Sequence, residues 1–286
     1  MKKLVINADD FGLCDSVNAG IIECIINGIV SDLSFIINPP FLINSIELLK
    51  KHSIKNIGVH LNFTMGKPLS SEFSTLTDFK GNFNNTNMHF LNHLKSKINS
   101  DEIYEEGKTQ IETLITNGFT ITHFDTHQNI HILPPFFKAI NQLRKVYFPD
   151  AYLRIPYEHA WLPINYKYSN WKRMFVLNSL SGFLTTKIEK GKCIQTIGGD
   201  FFNNENPDKV FRNVLKKINS SKQDSFEMAV HPGFISNEIS DFDPYVEGRK
   251  IEFDFLSKSS SFPESYGNIK IINFNELVIT NEFLIN

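Results

Sequence analysis

The strongest constraint on the fold is a repeated alternation of short apolar, strand-like runs with longer stretches that have helical spacing. The first unit shows it: an apolar run at residues 4–6 ends in a polar cluster, and apolar residues then recur at helical spacing over residues 17–29. Asp15 or Ser16 is predicted to cap this helix, and Gly28 is predicted to end it. The chain therefore begins with a strand followed by a helix.

The same alternation continues to the end of the sequence. Further strands are predicted at 31–37, 56–61, 120–125, 151–155, 193–199, 226–230 and 268–273, and further helices at 41–52, 88–117, 135–146, 207–219 and 246–257. Strands that alternate with helices in this way predict an α/β fold with a parallel barrel. A chain of 286 residues fits one such domain, spanning 1–286. Two longer connections, 64–88 and 156–192, are predicted lids or substrate loops.

The charge and the cysteines exclude several classes of protein. The net charge is -2, from 29 basic and 31 acidic residues, which gives no support for a nucleic-acid or anionic-membrane partner. The first ten residues are too short for a signal-peptide core or a membrane span, so we expect a cytoplasmic protein. Cys14, Cys24 and Cys193 contain no CxxC pair and indicate reduced thiols. The glycine-rich fingerprints of nucleotide and dinucleotide enzymes and the serine-esterase elbow are absent from the sequence.

Reactive side chains follow most of the predicted strands. Because the carboxyl ends of parallel strands meet at one face, such residues come together even when they are far apart in sequence. The residues in these positions are Asp9 and Asp10 after the first strand, then His60, Asp125, His127, Arg154, Asp200 and His231 at the ends of later strands. This coincidence predicts one active site at the barrel mouth.

Four of these residues also have a purely structural interpretation. Two adjacent carboxylates on an extended backbone point in different directions, so Asp9 and Asp10 could be a base and a metal ligand, or a solvated loop pair. His60 could be a core histidine bonded to a backbone carbonyl. His231 could act as a general acid or cap the turn that follows it.

The segment from His123 to His131 holds three of the nine histidines of the chain. On a helix, the spacing of His127 and His131 would place both imidazoles on one face, where they could share a metal. The prolines that follow favour a strand end that turns into a loop, and in that geometry only one of the two binds metal. Together with Asp10 and His60, this gives two histidines and one carboxylate, which suits zinc or another divalent ion.

The chain resembles the YdjC-like family of carbohydrate deacetylases, which includes chitooligosaccharide deacetylases. The resemblance covers nearly the whole chain. It rests on Ile6–Gly12, Val17–Ile21, Gly58–Asn62, Gly66–Leu69, Asp125–His131 with Leu133 and Pro134, Arg154–Pro156 and His231–Gly233. The family is similar to the NodB-type polysaccharide deacetylases, so the resemblance implies a single-domain, distorted (β/α) barrel.

The resemblance also implies a role for each site residue. It makes Asp10, His60 and His127 the ligands of one divalent ion, zinc or magnesium, Asp9 the catalytic base and His231 the acid. Substrate contacts or supporting roles are expected for Arg154, Asp125, His131, Asn62, Asn18 and Arg249. One position departs from the family pattern, because Asn129 stands where relatives often carry histidine.

The implied enzyme is a metal-dependent carbohydrate deacetylase, a hydrolase of a carbon–nitrogen amide bond, with an acetylated carbohydrate such as a chitooligosaccharide as substrate. Two alternatives stay open: a metal-dependent carbohydrate-binding protein without catalysis, and a phosphoesterase or other amidohydrolase with the same ligands. Phosphoesterases more often assemble two metals, so the number of bound metal ions discriminates between them. A homodimer is the favoured oligomer, because twofold dimers are the commonest assemblies.

Overall fold

A computed structural model of the chain describes residues 1–37, 39–70, 74–156, 178–189, 191–197, 206–236, 239, 243, 245–258, 262 and 267–277. Much of the predicted loop 156–192 lies outside the described residues, and so does Asp200.

The described strands form one parallel sheet that closes on itself. They are β1 (Lys2–Phe11), β2 (Asp32–Ile36), β3 (Asn56–Leu61), β4 (Thr120–Thr126), β5 (Tyr152–Pro156), β6 (Cys193–Ile197), β7 (Ser225–Val230) and β8 (Ile269–Ile271). Their order is β2-β3-β4-β5-β6-β7-β1-β8, and an additional pairing of β1 with β2 closes the first seven into a barrel. β8 pairs with the first residues of β1. The predicted α/β class and distorted barrel are confirmed.

Helices surround this barrel. They are α1 (Asp15–Ile26), α2 (Leu42–Lys51), α3 (Thr86–Leu94), α4 (Ser100–Thr116), α5 (Pro134–Tyr147), α6 (178–185), α7 (Pro207–Ser220) and α8 (Val246–Leu256), with a further helical turn at 274–277. Within the described ranges, none of these helices has the length and apolar content that a membrane span requires.

Two predictions about helix ends are wrong. The helix predicted at 88–117 is two helices, because Ser96 has a left-handed backbone (φ 52°) and Asn99 starts α4 by accepting a hydrogen bond from the Asp101 N–H. The other concerns α1, whose N-cap residue is Cys14 without a side-chain cap, rather than Asp15 or Ser16. There the turn after β1 is held by other contacts, described below.

Alternation along the strands separates two cores. Leu4, Ile6 and Ala8 of β1 belong to the large apolar core that the helices cover. Val5 belongs to a smaller cluster, whose other members are Tyr152, Ile194, Ile272, Phe274 and Leu277. These side chains fill the end of the barrel at which the strands begin, and the Phe274 ring stacks on buried His123 with ring centroids 3.9 Å apart. The other end of the barrel holds polar side chains.

Candidate active site

The two adjacent aspartates lie in an irregular stretch of β1. The pairing register with β2 shifts between Ala8 and Phe11, and Asp10 has a left-handed backbone (φ 66°). For a residue other than glycine this conformation costs about 1–2 kcal/mol. The strand continues beyond the predicted end of its apolar run, and both carboxylates are buried, with Asp9 4% and Asp10 3% exposed. They contact different sets of residues.

Asp10 faces two imidazoles. Its Oδ1 atom lies 3.3 Å from Nε2 of His60 and 3.1 Å from Nδ1 of His127. Ligand atoms bound tetrahedrally to zinc at about 2.0–2.1 Å are about 3.3 Å apart, so the observed separations match a shared ion. One carboxylate and two imidazoles are a donor set typical of zinc and similar divalent ions, and three protein ligands leave positions for water and substrate. Asp10, His60 and His127 thus form a group that could hold a metal ion.

Asp125 orients the His60 ring. Nδ1 of His60 lies 2.7 Å from Oδ1 of Asp125, which leaves Nε2 directed towards Asp10. Burial by itself lowers the pKa of His60, but the Asp125 and Asp10 carboxylates raise it to about 10. Burial likewise raises the pKa of Asp10, whereas Arg249 and the two histidines bring it well below its usual value. These carboxylates therefore favour positive charge at this position.

Arg154 holds the other aspartate. Its Nη1 donates to Oδ2 of Asp9 at 2.5 Å and its Nη2 donates to Oδ1 at 2.7 Å, while the Asn7 amide donates to Oδ1 at 2.8 Å. Arg154 also lies 2.8 Å from Asp125 and donates to Glu227 through Nε and Nη2. Burial lowers the pKa of the guanidinium, but these three carboxylates raise it well above its usual value. Arg154 thereby fixes the orientation of the Asp9 side chain beside the Asp10, His60 and His127 group.

A second group of potential ligands, Asp9, His60 and Asp125, also has the spacing of a metal site. The guanidinium of Arg154 already bonds both of its carboxylates. A cation in this group would lie next to a buried positive charge, which is unfavourable. Of the two groups, Asp10, His60 and His127 are therefore the better suited to hold a metal ion.

His231 lies on the solvent side of Asp9. Its Nε2 atom is 3.8 Å from Oδ2 of Asp9, and its side chain is 25% exposed, against 11% for His127. Its backbone N–H donates to Oε2 of Glu252 on α8 at 2.5 Å. The imidazole thus lies between the buried carboxylate and the solvent.

Arg249 supports Asp10 from α8. Its Nη2 donates to Oδ2 of Asp10 and to Oδ2 of Asp243, each at 2.5 Å. This bond occupies one oxygen of Asp10 and leaves Oδ1 to the two imidazoles. Burial lowers the pKa of Arg249, but the two carboxylates raise it above its usual value.

The two histidines of the HxxxH spacing point to different places. Gln128 and Asn129 both have left-handed backbones (φ 56° and 53°), so the segment after β4 is a broken 3-10 turn and not a regular helix. Nδ1 of His131 lies 2.6 Å from the Thr126 hydroxyl and its Nε2 lies 3.0 Å from the Arg154 carbonyl oxygen. Burial lowers the pKa of His131 to about 4, so its ring is neutral. It lies outside the Asp10, His60 and His127 group.

The two predicted asparagines use their amides to shape loops. Asn18 accepts a hydrogen bond from the Gly12 N–H at 2.6 Å and donates to the Ser45 hydroxyl at 2.8 Å, which holds the turn after β1. Asn62 accepts from the N–H groups of Thr64 and Met65 and so forms the turn after β3. Both side chains are buried in protein contacts.

Sequence reasoning missed three residues that hold the site together. Ser34 donates to Oδ2 of Asp125 at 2.7 Å, Glu227 bonds Arg154, and Glu252 bonds His231. One signal was present: Glu227 lies on β7 four residues before His231, which directly follows that strand, and an extended backbone places residues four apart on the same face. Ser34 and Glu252 carry no comparable signal in the sequence.

Comparison with known proteins gives the family. The family model described as YdjC-like protein matches residues 3–264. The chain belongs to this family. Two relatives are each named carbohydrate deacetylase. The one from Clostridium beijerinckii is 28% identical over 276 residues, covering 96% of this chain and 100% of the relative; the one from Halalkalibacterium halodurans is 28% identical over 257 residues, covering 90% and 95%.

A solved structure has the same fold. It is a protein from Enterococcus faecalis that is described as a cellobiose-phosphate cleavage protein. It matches with a TM-score of 0.73 and 23% identity, and the match covers 96% of this chain and 98% of that one.

Proposed function

We propose that this chain is a metal-dependent hydrolase that removes an N-acetyl group from an acetylated carbohydrate such as a chitooligosaccharide. Relatives that match along nearly their whole length are named carbohydrate deacetylases, which supports the reaction and the class of substrate. The observation that carries the proposal is the position of Asp9. Arg154 fixes this carboxylate beside the Asp10, His60 and His127 group, and His231 lies on its other side.

The chemistry begins with the attack of water on the acetamide carbonyl. A divalent ion held by Asp10, His60 and His127 supplies Lewis acidity towards that carbonyl and acidifies water. Asp9 accepts the proton that the water loses as its oxygen bonds to the carbonyl carbon. Because Arg154 binds both Asp9 oxygens, the carboxylate keeps one orientation throughout.

His231 completes the reaction. When the carbon–nitrogen bond breaks, its electron pair moves to nitrogen, and the leaving amine needs a proton. The imidazole of His231, partly exposed and 3.8 Å from Asp9, donates that proton. The products are acetate and a carbohydrate with a free amine.

Two variants test the proposal. Asp9→Asn should keep about one metal ion per chain, while acetate release from an N-acetylglucosamine oligomer falls by about 10²–10⁴-fold, the usual contribution of a general base. His60→Ala should lose the metal itself. Elemental analysis and an acetate assay measure the two properties separately. Near-normal acetate release by Asp9→Asn would show that Asp9 is not the base.

A surface variant serves as the control. Asp150 pairs with Lys192 and is exposed, so Asp150→Asn should change neither metal content nor rate. Two metal ions per wild-type chain would instead favour a phosphoesterase, and sugar binding without acetate release would favour a carbohydrate-binding protein.

A further inference from the structure

We propose that Glu252 and Tyr245 are positioning residues that set the direction of the His231 imidazole. This inference rests on the proposed function, because it takes His231 as the acid that protonates the leaving amine. It adds Glu252 of α8 and Tyr245, the N-cap residue of that helix, to the residues that support the site.

The chain after β7 is attached to α8 at two points. The His231 N–H donates to Oε2 of Glu252 at 2.5 Å, and the Gly233 N–H donates to the backbone oxygen of Arg249 at 3.3 Å. Between these points the backbone has little freedom to shift. The position of the His231 Cα atom is thus fixed by α8.

Tyr245 connects the same carboxylate to the imidazole. Its hydroxyl donates to Oε1 of Glu252 at 3.0 Å, so each carboxylate oxygen of Glu252 accepts one bond. The Tyr245 ring meets the His231 ring edge-on, with centroids 6.1 Å apart and planes at 79°. One carboxylate therefore holds the backbone of His231 directly and its ring through Tyr245.

Gly248 makes room for this arrangement. A Cβ atom at this position would lie 2.1 Å from Cζ of the Tyr245 ring, so only glycine allows the ring to lie against the helix. Glu252 itself is 1% exposed, and burial raises the pKa of its carboxyl above the usual value, although His231 and the two hydrogen bonds lower it. A buried carboxylate with two donors has a fixed orientation, because a rotated one would lose a hydrogen bond.

The same helix also reaches the metal ligands. Arg249, three residues before Glu252, bonds Asp10. Residues three apart share a helix face, so one face of α8 contacts both Asp10 and the backbone of His231. The relative position of these two groups depends on this helix.

Tyr245→Phe tests the proposal, because it removes the hydroxyl and keeps the ring. We expect kcat for acetate release to fall by about 10- to 100-fold, the effect of a small misplacement of a catalytic group, with KM and metal content unchanged. Tyr147→Phe is the matched control, because the Tyr147 hydroxyl also donates to a glutamate. It bonds Glu112 at 2.6 Å and joins α5 to α4. The control should keep the wild-type kcat.

A second measurement does not depend on activity. The ring proton signals of His231, identified by their loss in His231→Asn, should shift in Tyr245→Phe and stay in place in Tyr147→Phe. Glu252→Gln, which keeps an acceptor oxygen, should retain more activity than Glu252→Ala.

The outcomes separate the two proposals. If the wild-type protein releases no acetate from any N-acetylated oligosaccharide, the proposed function fails. If the wild-type protein is active and Tyr245→Phe matches it in kcat and in the His231 signals, the positioning role alone is overturned. Equal losses in the two tyrosine variants would overturn it as well.

Discussion

Asp125 carries no proposed chemical step, yet it contacts three other side chains of the site. It is fully buried and touches His60, Ser34 and Arg154. Burial raises the pKa of this carboxyl, but Arg154 and His60 lower it below its usual value. The carboxylate therefore stays ionised and holds one nitrogen of His60, so the other nitrogen is free for a metal.

Asp125→Asn should therefore weaken metal binding by about 10- to 100-fold, the usual effect of losing a group that orients a ligand. Competition with a coloured chelator measures the dissociation constant. Asp224→Asn removes an exposed carboxylate that pairs with Lys2 and should leave the constant unchanged. An unchanged constant in Asp125→Asn would mean that His60 needs no orienting carboxylate.

The site residues that could be predicted from the sequence share one property. Asp9, His60 and His231 are reactive types directly after apolar runs, and the chain order of strands is enough to bring them together. Glu252 could not be found in this way, because it lies inside a helix and follows no strand end. Its burial follows from the packing of α8 on the barrel, which the local pattern does not contain.

At the scale of elements, the turn between β1 and α1 is constrained by both its backbone conformation and its close packing. Gly12 has φ +104°, its N–H is bound by Asn18, and a Cβ atom would lie 2.1 Å from the Ile36 oxygen. Gly118 offers a comparison: it has φ +90°, with nothing within 4 Å of an added Cβ. Both glycines have a left-handed backbone, but only Gly118 has room for a side chain.

We expect Gly118→Ala to lower the free energy of unfolding by roughly 1–2 kcal/mol, the cost of a left-handed alanine. Gly12→Ala should lower the free energy of unfolding by more than this, because the backbone of β2 must also shift. Acetate release should fall as well, since Asp10 is two residues away. Urea unfolding of both variants gives the comparison. Equal losses would show that the turn has room for a side chain.

Strand positions were easier to predict than helix ends. The prediction of 56–61 for β3 coincides with the observed Asn56–Leu61, because a buried parallel strand is a short apolar run bounded by polar residues. The break between α3 and α4 was not predicted, since it depends on the left-handed backbone of Ser96. Apolar spacing continues through that break, and periodicity alone cannot show it.

At the scale of the whole molecule, Asp32 links stability to pH. It lies at the start of β2 and is 8% exposed, and its oxygens accept from the N–H groups of Leu33 and Phe274. Burial raises its pKa to about 7, although these two N–H groups lower it. The carboxyl therefore connects the barrel to the segment that fills its end.

Because the folded-state pKa of Asp32 is above its usual value of 3.8, the stability from its protonation is complete below about pH 4. It is lost as the pH rises to 7. Across this window the wild-type free energy of unfolding should fall relative to that of Asp32→Asn by up to about 1.4 kcal/mol per pH unit. Urea unfolding at several pH values measures this difference, and a constant difference would refute the assignment.

The stacked pair of Phe274 and His123 has a consequence for substrate entry and product release. Among the described residues, these rings and their apolar neighbours fill the interior of the barrel at the end where the strands begin. The buried carboxylates of Asp9 and Asp10 and the partly exposed imidazole of His231 lie at the opposite end. We therefore expect the substrate to enter and both products to leave at the end of the barrel that carries His231. Slow product release would then delay binding of the next substrate.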